Sequence, residues 1–533
     1  MKDGSSSEGK EVLIDGQQRI TALTAALLGQ EIIDSNYKKK RIKIAFNVKN
    51  ESFETLNPAI EKQPEYIPDI AEFMKDNQFN IYNFATQYAT QFNLEPNVIS
   101  ERIYRLMSIR DVSIGRIELG SSLSIDEVTN IFVRINSEGM VLSQADFAMS
   151  KISVNEKYYG NDIRKTIDYF CHLAKTPADF DNIKNNDIDF SNKEIFKKII
   201  WIKDKSDLIY LPDYTDVLRV SFTYKFKRGK LQDLVSLLSG RDFETREYKE
   251  DIIRESFETL YDGVKSFINE TNFERYTMIL KSAGIIDSIL VRSQNVYNFG
   301  YILYLLLREK NISNDLIEQL VRKWIVMSIV TQRYTSSPES AFDLDIRRFN
   351  ENDDIVEYIN EELARQLSDN FWNNILVEKI NTSVASSPYW KTYVMAQIKL
   401  RDKGFLGSAI EVRSLIEERG DVHHIFPKNY LQKNNMNSRQ IYNQIANFAM
   451  IQSEVNILIS DKAPNVYMHE VLDECNGISK GYPIKNKEEL YANLKENCIP
   501  NGFEYMTKDN YQDFLKQRRI LMAHKIKEYY ESL

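Results

Sequence analysis

The sequence predicts an α+β chain that is predominantly helical, and three observations carry that reading. Only 19 glycines and 12 prolines occur in 533 residues, about half the usual ~7% and ~5%, so helix breakers are scarce. From residue 151 to 385 apolar residues recur at helical spacing; Ile317, Leu320, Val321 and Trp324 fall at i, i+3, i+4 and i+7. Strand signals cluster near the N-terminus, in the apolar run Val12, Leu13, Ile14 and in the alternation of Ile42, Ile44, Phe46 and Val48 with Lys43, Ala45 and Asn47.

The elements follow in order. The apolar run through Ile14 reads as a buried strand, followed by a helix with Ile20, Leu23 and Leu27 on its inner face. Residues 42–48 read as a strand with one wet face. Ser124 and Glu127 form a capping box, and Ser143 caps the next helix. The Asn- and Asp-rich stretch 182–193 reads as a surface loop; its Asp187 and Asp189 lack the glycine and glutamate of a calcium loop. Thr382 to Pro388 reads as a linker. The last helix carries Leu515, Met522, Ile526 and Tyr529 as its core stripe, with Lys516, Arg518, Arg519, Lys525 and Lys527 on a solvated face. Three domains result: 1–150, 151–385 and 386–533.

Composition narrows the class. Hydrophobic residues make up 43% and charged residues 27%, values of an ordinary globular protein that exclude wholesale disorder. A net charge of −8 excludes a uniformly basic nucleic-acid coat. The charge is uneven: residues 391–533 hold 20 Lys and Arg against 18 Asp and Glu, so the C-terminal domain is the better candidate to meet a polyanion. Three dispersed cysteines form no CxxC pair, which points to reduced thiols. The polar N-terminus lacks a signal-peptide core, and the longest apolar run, Phe299 to Leu307, is far short of the ~18 residues that span a bilayer. A soluble, cytoplasmic protein is expected.

Two constellations carry chemistry. Two of the five histidines are adjacent, in Asp421-Val-His423-His424-Ile-Phe-Pro427. Asn447 follows 23 residues later and Asn456 nine after that, with Lys462 beyond. Adjacent side chains on a strand point to opposite faces, so such a pair can divide labour. The ordering resembles the HNH (ββα-metal) nucleases, with the His-His-Ile-x-Pro form of colicin-type domains and gaps similar to the HNH domain of CRISPR effector nucleases. The resemblance implies His424 as general base, His423 and Asn456 as metal ligands with Asp421 able to assist, and Asn447 as a brace for the histidine loop. It also implies Lys462 as a phosphate contact. One imidazole and one amide oxygen leave most coordination positions open, which suits Mg²⁺ or Mn²⁺.

The second constellation is Asp15-Gly16-Gln17-Gln18-Arg19, where an acid, a glycine, two amides and an arginine lead into a helix. Backbone donors, a close-approach glycine and an arginine clamp form a place for phosphate. This run resembles the DGQQR motif of the ParB-like domain in GmrSD-type, modification-dependent (type IV) restriction enzymes. Ile131 to Ser143, with Arg134 and Asn136, resembles that family's second signature, and Arg333 to Ser340 resembles its inter-domain region. The family uses the first two segments to bind and hydrolyse a nucleoside triphosphate, so Asp15, Gly16, Gln17, Gln18, Arg19, Arg134 and Asn136 are its candidate contacts. Gly4 to Glu11 imitates a P-loop but places Glu11 where Ser or Thr is required, and is rejected. Family members carry a strand-and-turn segment upstream of this motif, so the first domain is expected to be N-terminally truncated.

The resemblance implies a metal-dependent endonuclease of phage defence that couples nucleotide hydrolysis to DNA cleavage. The expected partners are modified phage DNA, a nucleoside triphosphate and a second copy of the chain in a homo-oligomer, with no membrane. A nicking enzyme that senses a backbone modification and a nucleotide-gated DNA-binding regulator without turnover are the rival expectations.

Overall fold

The computed structural model describes residues 16–75, 80–120, 143–418 and 422–533, together with 123, 127, 131 and 420. The expected strand before Asp15 and most of the capping box at Ser124 lie outside them, as do Asp15, Arg134, Asn136 and Asp421. The chain divides into two units, 1–165 with 176–197 and 166–175 with 198–533. Most described elements are helices, and the sheets are small. No helix among the described residues is long and apolar enough to cross a membrane. All three cysteines are free.

In the first unit, helix α1 (Gln17–Leu27) precedes a short antiparallel pair, β1 (Ile32–Ile33) and β2 (Lys39–Lys40). Strand β3 (Ile44–Asn47) then sits between β4 (Ser52–Thr55) and β5 (Tyr66–Ile67), antiparallel to both. This strand has no wet face, contrary to expectation: Ala45, Phe46, Asn47 and Val48 are all buried. Phe46 joins a core with Ile67, Met74, Tyr88, Ile99 and Ile103. On the other face Asn47 survives burial because its side chain accepts the Asn50 N–H at 3.0 Å.

Helix α1 also departs from its pattern. Leu27 packs on the core and Ala25 is buried, whereas Ile20 and Leu23 are 39% and 41% exposed. Arg41 holds the end of the helix, donating to the Ala25 carbonyl and pairing with Asp69 at 2.6 Å. Its guanidinium lies where a Cβ on Gly29 would stand, and Gly29 has φ +62°, so only glycine fits there. Further on, Ser143 caps Gln144–Val154 through a reciprocal box with Asp146, as expected. Residues 182–193 are not a loop. They continue the helix Phe180–Asn186 into Ile188–Ser191, because Phe180, Ile183 and Phe190 turn inward and Asp187 caps the second turn.

The second unit is a helical assembly around α2 (Gln294–Glu309), which is buried on every side from Val296 to Leu307. An all-round apolar helix belongs at the centre of a bundle. Gly300 lets it approach Tyr276 and Ile325, whose atoms would stand within 3.0 Å of a Cβ. The stripe Ile317, Leu320, Val321, Trp324 on α3 (Asn314–Thr331) is buried as the spacing predicts. Arg333 fills a buried ion cluster with Asp345 and Glu362, closed by the Tyr334 hydroxyl on Asp345.

Helix α4 (Pro388–Leu400) follows the expected linker, with Ser387 as its cap. The last helix, α5 (Tyr511–Glu531), buries Leu515, Met522, Ile526 and Tyr529. Its charged face is not all solvated. Arg518 is fully enclosed, and Lys525 is buried against Asp402.

Candidate active site

Residues 422–459 form a strand, a second strand and a helix in sequence order. Strand β6 (Val422–His424) pairs antiparallel with β7 (Phe448–Met450), placing His423 opposite Ala449 and His424 opposite Phe448. Helix α6 (Ser453–Ile459) follows after two residues and buries Val455 and Ile459. The 22-residue connection between the histidine pair and Asn447 holds two short helices, Lys428–Lys433 and Arg439–Tyr442.

His424 is half-buried. Its ring meets Phe448 edge-on at 5.3 Å and Tyr442 at 6.2 Å. Nε2 donates to the Asn443 side-chain oxygen at 3.0 Å, which leaves the Nδ1 lone pair free to take a proton. Burial lowers the imidazole pKa from its ordinary value; the Asn443 acceptor opposes that shift, and the charges of His423 and Lys428 reinforce it. The ring is therefore held neutral, the form a general base requires.

Asn447 is fully buried. Its side chain accepts the Phe426 N–H at 2.8 Å and donates to the carbonyls of Phe426 and Tyr442, both at 3.1 Å. Its own carbonyl accepts the Ile425 N–H at 2.8 Å. One amide thus fastens the turn leaving His424 to the segment that enters β7. From behind, Arg518 donates to the carbonyls of Ala446 and Phe448 at 2.8 and 2.7 Å, the two residues flanking Asn447. Its other nitrogens reach the Asn497 carbonyl. Burial lowers the guanidinium pKa, and no carboxylate pairs with it among the described residues.

Asn456 lies in the middle of α6, partly exposed, and its carboxamide has no hydrogen-bond partner among the described residues. His423 is partly buried at the centre of β6. These two residues could hold a metal; no cluster of three or more His, Cys, Asp or Glu occurs among the described residues. Lys462 is committed elsewhere, paired with Glu470 at 2.7 Å and donating to the Leu458 carbonyl at 2.9 Å. Asn443 and Arg518 escaped the sequence reading. Asn443 stands four residues before Asn447, a spacing that could have flagged it, whereas nothing near Arg518 in sequence signals burial.

The N-terminal constellation is described only in part. Gly16, at φ +81°, is the N-cap of α1, and no side chain among the described residues caps that helix. The Arg19 guanidinium folds back over Gly16, with Nη2 3.6 Å from where a Cβ would stand. Gln18 and Arg19 are exposed. The positive end of the helix and a guanidinium therefore share one exposed spot, an arrangement suited to an anion.

A family model described as GmrSD restriction endonuclease, N-terminal domain, matches residues 1–153. No curated protein and no solved structure matches the chain. The match covers the Asp15–Arg19 run and the second signature through Ser143, the two segments on which the resemblance rests. Over its first 153 residues the chain is thus similar to the N-terminal domain of GmrSD restriction endonucleases.

Proposed function

We propose that the chain is a modification-dependent DNA endonuclease of phage defence, with an HNH-type cleavage centre at residues 423–456 and a nucleotide site at residues 15–19. The observation that carries the reading is the strand–strand–helix order in which a neutral, half-buried His424 is braced by Asn447. Nuclease chemistry needs a base of this kind, held rigidly and unprotonated at neutral pH. His424 Nδ1 takes the proton of a water whose oxygen bonds to the scissile phosphorus as one ester P–O bond breaks; the departing oxygen is protonated from solvent. Asn443 fixes the tautomer, and the aromatic wall of Phe448 and Tyr442 fixes the ring plane.

The donor set fits a divalent cation of the magnesium class. His423 offers a nitrogen, and Asn456 an amide oxygen with no partner among the described residues, on the helix that follows the strand pair. When bound, Mg²⁺ or Mn²⁺ would supply charge neutralisation at the phosphate and the departing oxygen. Lys462, held by Glu470, is assigned a structural role in place of a phosphate contact. At the other end, Arg19 and the first backbone amides of α1 would hold the phosphates of a nucleoside triphosphate, whose hydrolysis gates cleavage.

The test is digestion of modified and unmodified DNA by the full-length protein with Mg²⁺ or Mn²⁺, with and without nucleotide. His424→Ala should abolish product while the protein remains folded. Undiminished cleavage by that variant would sink the base assignment.

A further inference from the structure

A second concentration of positive charge lies in the same unit, outside the histidine site. An open concavity of ≈480 Å³ is lined by Ile289, Arg292, Ala385, Ser386 and Lys391. Arg292 Nη1 donates to the Ser386 hydroxyl at 2.9 Å. Neither Arg292 nor Lys391 forms an ion pair among the described residues. The nearby Asp287 carboxylate accepts the Ile289 N–H at 2.8 Å, and its attraction for Lys391 is outweighed: burial and the Arg292 charge together lower the Lys391 pKa.

Two like charges facing one hollow repel each other, and partial burial makes that repulsion more costly. An exposed arginine, a half-buried lysine and a hydroxyl form a donor set suited to a phosphate oxyanion, whose charge would reverse the penalty. The hollow is also tied to the histidine strands by packing. Lys391 neighbours Trp390, whose ring meets Phe448 edge-on at 5.7 Å, and Phe448 in turn backs His424. The segment that carries Ala385 and Ser386 is pinned to the entrance of β7 further back, with Ile445 N–H donating to the Thr382 carbonyl at 2.9 Å.

We propose that Arg292, Ser386 and Lys391 form a phosphate-binding site beside the candidate nuclease centre, taking a phosphodiester of the DNA backbone or a free phosphate group. The DNA source rests on the nuclease reading above; the free-phosphate source does not.

The double variant R292Q/K391Q of the full chain tests the site, with K487Q as an exposed control. Each phosphate charge neutralised contributes roughly 0.9 to the slope of log affinity against log salt. Duplex binding by the double variant should therefore lose about one to two from that slope, equally on all sequences, while K487Q keeps it. In a second arm, inorganic phosphate at matched ionic strength should raise the Tm of the wild type and leave that of the double variant unmoved. A changed slope without a Tm difference assigns the site to DNA backbone, and the converse assigns it to free phosphate. If wild-type protein binds no duplex, the nuclease reading falls and the phosphate arm alone decides the site. Wild-type slope and wild-type Tm response in the double variant overturn the proposal.

Discussion

The two ends of this chain carry their information differently. At one end the Gln18 and Arg19 side chains are exposed, and this end matches a known family model. At 422–459 nothing matches, yet each central residue is fixed by geometry: Asn447 by four hydrogen bonds that span two segments, and His424 by one acceptor and two rings. A site that must grip a mobile polyphosphate can leave its donors open to solvent until the ligand arrives. A base that must meet a proton in one place has to be rigid beforehand. Family resemblance followed the short motif, and physical constraint followed the chemistry.

Several substitutions would break or sharpen that contrast. The largest effect is expected at the rigid end: His424→Ala should lower the rate of plasmid cleavage by roughly 10²–10⁴-fold with little change in stability. Asn447→Ala should act on both, since it strands a buried N–H at Phe426. Urea denaturation should show a loss of about 2–3 kcal/mol, accompanied by reduced cleavage. At the open end, Arg19→Ala should weaken nucleotide binding about tenfold by calorimetry while leaving stability near wild type. Equal destabilisation by the Arg19 and Asn447 variants would erase the distinction between the ends.

Smaller effects follow. In the proposed reaction His424 acts when neutral, and burial holds its pKa below the ordinary imidazole value of about 6.5. The acid limb of the cleavage profile should therefore fall at a pH lower than that, with activity lost only as pH drops through the lowered value. Lys462→Ala should cost less than ~1 kcal/mol, because its pair with Glu470 is about one-third exposed, and cleavage should persist. Loss of cleavage there would return Lys462 to the phosphate.

Much of the fold was legible where apolar spacing was regular. The buried stripe of α3 and the cap at Ser143 follow directly from residue type and interval. At 182–193 the many asparagines and aspartates hid three inward apolar residues, Phe180, Ile183 and Phe190, that were enough to hold helix. On β3 the alternation of residues said nothing of what covers the second face, because that depends on partner strands distant in sequence. The positions of the histidine pair and Asn447 were readable because each is set by a local interval. Arg518 was not, because charge in a helix reads as solvated unless one knows which carbonyls wait behind it.

That arginine imposes an order on the life of the chain. The clamp on carbonyls 446 and 448 comes from residue 518, so a ribosome makes the histidine pair and both asparagines before the residue that locks the strand pair. A nascent polypeptide that has not yet reached Arg518 would carry His424 without that backing.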